Sequence, residues 1–212
     1  MSVITWPSTI TVEKFSWMQQ RRDVYFNSIF GSQAIEVSPP QWSASITPLL
    51  VYEKDAGDIE TLLMQLKGRT NQLALHNLAR PAPLGTMRGT MTFNTAPSAG
   101  DTTISVIAAT EAGKTLLKGD LIGFGSGATQ QVVMVLADAT ADGSGIISLS
   151  IEPPLRNAFS AGDSITWDAP KALFRYNDQN SSNGQTGTLI QWDYEMDMIS
   201  GIVIPLIEDW RT

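Results

Sequence analysis

The chain has 212 residues, of which 42% are hydrophobic and 17% charged, with 17 Gly, 11 Pro, no Cys and a formal net charge of −7. The absence of cysteine excludes a disulfide framework, thiolate catalysis and cysteine zinc sites. The length allows one large or two small domains, and a charged share below the usual roughly one quarter favours many turns and extensive protein contacts.

The acid is unevenly spread. Residues 1–88 carry eight Lys/Arg and seven Asp/Glu, residues 89–171 four and eight, and residues 172–212 two and six. No basic footprint for a phosphate backbone is visible, so sequence-specific nucleic-acid binding is not expected. The N-terminal Met1-Ser-Val-Ile-Thr-Trp-Pro7 lacks the basic-then-apolar pattern of a signal peptide. The apolar runs fall far short of the about 20 residues that span a bilayer, so no membrane insertion is expected.

In chain order, Ser8–Val12 alternates as a strand, and Tyr25–Phe30 is an aromatic-rich run ended by Gly31. Ala34–Val37 reads as a short strand stopped by Pro39 and Pro40. Trp42–Val51 reads as a longer one, which Pro48 marks as an edge or a bulge. The one strong helix signal follows: Asp58-Ile-Glu-Thr-Leu-Leu-Met-Gln-Leu-Lys-Gly68. Asp58 suits the N-cap and Glu60 the first turn. Ile59, Leu62, Leu63 and Leu66 form one apolar stripe, Lys67 falls in the last turn, and Gly68 suits the left-handed C′ position. Leu73 and Leu75 then alternate with Gln72, Ala74 and His76 as a half-buried strand, before the loop Arg80-Pro-Ala-Pro-Leu-Gly-Thr-Met-Arg-Gly89.

From Thr90 to Asp168 the texture changes to short β runs between turn signals. Five strands are expected at Thr102–Ile107, Asp120–Phe124, Gln131–Leu136, Ile146–Ile151 and Ser164–Trp167. Their number and spacing suit a small closed barrel of the OB type or a compact sandwich. After Pro170, Leu189–Ile199 and Gly201–Ile207 read as two closing strands. A β half with too few strands, a self-contained β unit and a β return describe an inserted domain, because an insert needs its two ends close together. The expected division is residues 1–88 with 172–212 as a discontinuous β-sandwich domain, and residues 89–171 as the inserted barrel.

Motifs of chemistry are weak. Ala108-Ala-Thr-Glu-Ala-Gly-Lys-Thr115 fits a loose nucleotide-binding pattern, but a phosphate cradle needs a glycine-rich loop running into a helix, and no helix fits after Thr115. Asp138–Gly143 has the look of a calcium loop, yet Leu149 stands where the bidentate Glu belongs, so a hairpin turn is expected. His76 is the only histidine, which leaves no Ser-His-acid triad without it and no two-His metal site. Asp193, Glu195 and Asp197 share one strand face by period two and read as a solvated acidic face or an interface rim. No enzyme activity, catalytic residue, cofactor or metal is expected.

The run from Trp42 through the helix, the Arg69-Thr-Asn-Gln-Leu-Ala-Leu75 strand and the loop to Gly89 resembles the distal tail proteins of long-tailed, siphophage-like bacteriophages. The type resembled carries an inserted OB-like domain. Ala137-Asp-Ala-Thr-Ala-Asp-Gly-Ser-Gly145, followed by Leu149-Ser-Ile-Glu-Pro-Pro-Leu155, is similar to segments of phage structural proteins. The resemblance implies a mainly β fold: a β-sandwich core with one α-helix plus an inserted small OB-like β-barrel. It implies a structural role at the virion tail tip, assembled in the host cytoplasm. There a homo-hexameric ring joins the tail tube to the tail-tip hub or baseplate around the DNA channel. The implied partners are the tail tube protein and the tail-tip hub and tape-measure proteins. The family offers no catalytic residues. The insert in related proteins suggests an alternative, a carbohydrate-binding accessory module that contacts host cell-surface glycans. A ring needs two unlike complementary faces per subunit, and Arg80, Arg88, Trp192 and Trp210 are the interface candidates. Of the six Trp, most are expected in the core. The acid excess of residues 172–212 suggests a lumen that repels DNA.

Overall fold

The structure is a computed structural model that describes residues 1–49, 51–177, 193–195, 198–200 and 202–210. The fold is mainly β; among the described residues it has one α-helix, two sheets outside the barrel region and a small closed barrel. In chain order the first elements are β1 (Val3–Thr5), β2 (Val12–Ser28), β3 (Gly31–Pro48), β4 (Val51–Tyr52), α1 (Glu53–Leu66) and β5 (Gln72–His76). Next come β6 (Met91–Phe93), β7 (Thr103–Ile107), β8 (Thr115–Leu116), β9 (Leu121–Phe124), β10 (Gln131–Val135), β11 (Ala139–Thr140), β12 (Ile146–Glu152) and β13 (Ser164–Thr166). The chain closes with β14 (Lys171–Tyr176), β15 (Asp193–Glu195), β16 (Met198–Ser200) and β17 (Ile204–Glu208).

Two compact units divide the chain: Met1–Leu75 with Leu173–Trp210, and His76–Ala172. The first unit holds a six-stranded sheet in the order β1-β5-β14-β17-β3-β2, and a three-stranded sheet β15-β16-β4. β1 runs parallel to β5, and β17 pairs antiparallel with both β14 and β3. The start and the end of the chain therefore share one sheet. The crossing out of this unit is made by β5 at Leu75 and His76, ahead of the 88/89 boundary expected from the sequence. The return crossing, Ala172 to Leu173, lies beside the expected 171/172.

The helix is longer than its sequence signature. It begins at Glu53, so Asp58 is inside it and accepts a hydrogen bond of 2.6 Å from Thr9 Oγ1 instead of capping. Ala56 extends the buried stripe of Ile59, Leu62, Leu63 and Leu66 back by one turn. A small alanine adds little to an apolar pattern, which is why the first turn is hard to read. Lys67 lies just past the last turn at φ 48°, and Gly68 follows in the left-handed region at φ 64°. Asn71 N donates to Leu66 O at 3.1 Å and closes the helix end.

The N-terminal strands differ most from expectation. Ser8–Val12 is a turn leading into β2, and the first strand is Val3–Thr5 instead. Tyr25–Phe30, Ala34–Val37 and the Trp42 strand are parts of one long hairpin, β2–β3, which runs straight through Pro39 and Pro40. Proline is tolerated there because that stretch of β3 has β2 on one side and, among the described residues, no strand on the other. Leu189–Ile199 is not one strand, since β15 and β16 pair antiparallel with each other; residues 189–192 lie outside the described residues.

The second unit is a barrel closed in the order β10-β12-β7-β6-β13-β9, with every described pairing antiparallel. All five expected strands are present, within a residue or two at their ends. The sixth, Met91–Phe93, buries Met91 and Phe93 on one face and closes the barrel by joining β7 to β13. Inside, Phe93 stacks on Phe159 with centroids 5.4 Å apart, and Phe159 meets Phe124 edge-on at 5.2 Å. Asp120 is buried and ties this unit together. Its carboxylate accepts from Leu84 N at 2.6 Å, Leu117 N at 2.7 Å and Gly85 N at 3.1 Å. A buried amide left without its acceptor costs about 1–3 kcal/mol. Asp120→Ala is expected to lower the stability of the barrel unit by about 3 kcal/mol. Asp120→Asn, which keeps one acceptor oxygen, should fall between; urea denaturation measures both.

Candidate interaction surface

The hairpin β2–β3 has two halves with different environments. In the inner half, Pro40, Trp42, Ala44, Ile46 and Pro48 of β3 alternate buried with half-buried neighbours. This is the period-two signature of a strand with one face on a core. Trp17 joins this face, with centroids 5.7 Å from Trp42 and 5.1 Å from Phe174. In the outer half, from Arg21 to Val37, every residue is exposed.

That outer half is apolar where it has no core to face. Val24 pairs with Ile35 and Phe26 with Gln33, so Val24, Ile35 and Phe26 share one face. Tyr25 and Ala34 lie on the other, together with the opposed pair Asp23 and Glu36. Between Ser28 and Gly31 the turn is made by Ile29 and Phe30, which are 92% and 93% exposed. Gly31 takes the positive φ of 140°. Tight turns favour Asn, Asp and Gly, so an Ile-Phe tip is not chosen for the turn. From Val24 to Ile35 there is no charged residue.

The sequence-derived interface residues do not gather on this arm. Arg80 is exposed, and its backbone N donates to Asn77 O and to Asn77 Oδ1 in a local turn. Arg88 is exposed as well, and its guanidinium folds back on its own loop, donating to Gly85 O at 2.7 Å, Met87 O at 2.6 Å and Pro83 O at 2.9 Å. It also lies 5.3 Å from the centroid of Trp167, whose indole N–H donates to Gly89 O at 2.9 Å. Trp210 is half-buried, and Trp192 lies outside the described residues. Among the described tryptophans only Trp42 is fully buried, while Trp6, Trp17, Trp167 and Trp210 are half-buried. Trp17 nevertheless packs on Trp42 and Phe174, and Trp167 packs against the barrel core. The C-terminal acid excess is also partly internal, because Glu208 and Asp209 are buried. Glu208 Oε2 accepts from Trp42 N at 3.0 Å and Asp209 Oδ2 from Gln72 Nε2 at 3.1 Å. Carboxylates spent inside a sheet do not charge a lumen.

The motifs set aside as chemistry are turns. Ala108–Thr115 passes through turns at Glu111 and Lys114 into the two-residue β8, with no helix. Asp142 Oδ1 accepts from Ser144 N at 2.8 Å and Ile146 N at 2.9 Å, which is the geometry of a hairpin loop. Among the described residues no cluster of three or more His, Asp or Glu is placed to hold a metal ion. No helix among them is long and apolar enough to cross a membrane. No protein-family model matches the chain, and no curated protein is similar to it at a significant level.

Two outcomes are expected. Arg88→Ala removes three carbonyl contacts and the Trp167 stack, and should destabilise the barrel unit by about 2 kcal/mol. Arg88→Lys should not restore it, since an ammonium cannot span the three carbonyls; thermal unfolding reads both. His76 is half-buried, and its pKa is lowered by burial and then by Lys171, against a smaller raising effect of Asp168. Above the ordinary value of 6.5 the imidazole is neutral in both folded and unfolded chains. As pH falls through that value the unfolded chain gains a proton that the folded chain resists, so stability declines until the folded pKa is passed. His76→Gln should flatten that part of the stability–pH curve, measured as denaturation midpoints stepped downward from pH 7.

Proposed function

We propose that this chain is a structural virion component, a distal tail protein whose copies form a hexameric ring joining the tail tube to the tail-tip hub or baseplate around the DNA channel. The observation that carries the reading is the outer half of the β2–β3 hairpin, an exposed apolar arm on an otherwise folded chain. Monomeric soluble proteins rarely leave more than a few hundred Å² of contiguous apolar surface uncovered. Val24, Phe26, Ile35 and Val37 on one face, Ile29 and Phe30 at the tip and Tyr25 on the other face together expose on the order of 800 Å², comparable to the half-share of a standard stable interface. A surface of that size and character is suited to assembly. The layout described for the resembled family, a sheet built from both chain ends and a barrel between them, agrees with the same reading.

The test is the oligomeric state. Purified protein should form rings visible by negative-stain electron microscopy, with a mass near six chains by light scattering. The double variant Ile29→Ser, Phe30→Ser removes two side chains worth roughly 1.5–3 kcal/mol each when buried, so association should weaken by about 100-fold or more. The variant should keep the far-UV circular dichroism and melting temperature of the parent monomer. A parent chain that stays monomeric at high concentration would count against the ring.

A further inference from the structure

The arm has two outer edges, and they are not equivalent. β3 loses its neighbour β17 beyond Ser43, and β2 is the last strand of the sheet, so past Trp42 both strands have a free edge among the described residues. On β3 that edge is blunted by Pro39 and Pro40, which offer no N–H to an added strand. β2 contains no proline. Its ladder irregularities lie between Val12 and Lys14 and between Gln20 and Asp23, which leaves Asp23–Ser28 in regular register. Past Asp23 this segment bears no charge. Edge strands are normally protected by charge, proline or a bulge, and Val24–Ser28 has none of the three.

The occupant of such an edge must supply backbone partners. Lipid does not, because unpaired N–H and C=O groups are costly in hydrocarbon. A strand does. The same sheet ends on its far side in β1, Val3–Thr5, whose outer edge is likewise without a strand among the described residues. A sheet with two unlike free edges can be joined head to tail, the contact that closes a ring of identical subunits. The exposed apolar area beside Val24–Ser28 matches what one partner of a stable interface contributes.

We propose that Asp23–Ser28 of β2 is paired in the assembly by the edge strand β1 of a second copy of this chain, so that one sheet continues from subunit to subunit. The proposal rests on the ring reading above and adds to it the strand that is paired and the strand that pairs with it. Hydrogen–deuterium exchange of the unmodified full chain tests it, comparing assembled protein with the same protein diluted to monomer. Peptides covering 23–28 and 2–6 should exchange at least tenfold more slowly in the assembly, while 31–38 should not change. An assembly in which 31–38 gains the protection, or in which 23–28 gains none, overturns the pairing and leaves the ring standing. A chain that never assembles overturns both.

Discussion

The sheet of the first unit depends on its last strand. β17 lies between β14 and β3 and is pinned from both sides. Trp42 N donates to the Glu208 carboxylate, Gln41 Nε2 donates to Glu208 O at 3.3 Å, and Ser43 Oγ donates to Leu206 O at 3.1 Å. Asp209 takes Gln72 Nε2 on one oxygen, has Arg175 Nε 4.0 Å from the other, and its N–H donates to Leu173 O at 2.8 Å. Buried carboxylates are tolerated only with such partners. The consequence is topological. β1 and β5 join β2 and β3 in one sheet only through β14 and β17, so the first unit is completed by strands that follow the residues between β5 and β14. Contacts of this sequence separation make for slow closure of the first unit relative to the locally paired barrel.

Much of this organisation is legible in the residues. The barrel strands announce themselves because each is short, apolar and bounded by glycine-containing turns, and because hairpin pairings such as Leu121–Phe124 with Gln131–Val135 need only neighbouring sequence. Met91–Phe93 is missed for the opposite reason. Three residues carry almost no periodic signal, and its partners, Ser164–Thr166 and Thr103–Ile107, are distant or cross a loop. The helix core is plain from Ile59 to Leu66, while its first turn is hidden because Ala56 contributes burial but little pattern.

The hairpin shows where local rules mislead. Pro39 and Pro40 are sound signals against a central strand, and they are obeyed: they sit where β3 has, among the described residues, only one neighbour. What they do not say is that the strand stops. Likewise the run Tyr25–Phe30 reads as a strand because aromatic and β-branched residues favour strands, whichever way its faces turn. Nothing in a period-two pattern distinguishes a face turned to the chain's own core from one turned to a partner. Arginine and tryptophan favour interfaces, and none of the four residues chosen on that ground lies in the arm. Arg88 is occupied by its own loop and Trp167, and the exposed apolar residues of the arm are Phe, Ile, Val and Tyr.

The arm also carries a conflict that the isolated chain does not resolve. Asp23 stands directly across from Glu36, and like charges in that position weaken a two-stranded ribbon. Arg21 offsets it in part, with its guanidinium 3.8 Å from Glu36 and both side chains about half exposed, a pairing that contributes little in water. A hairpin beyond its sheet has only its own ladder to hold it, and two strands alone are marginal. The inner half avoids this because Trp17, Trp42 and Phe174 anchor it to the core. Among the described residues the outer half has no such anchor, and on the assembly reading an added strand at Asp23–Ser28 supplies partners for its open backbone groups. On the assembly reading, order in the arm and association between copies are then coupled, each favouring the other by mass action. That coupling makes an unprotected edge tolerable, since the surface most prone to non-specific pairing is the one that correct assembly removes from water.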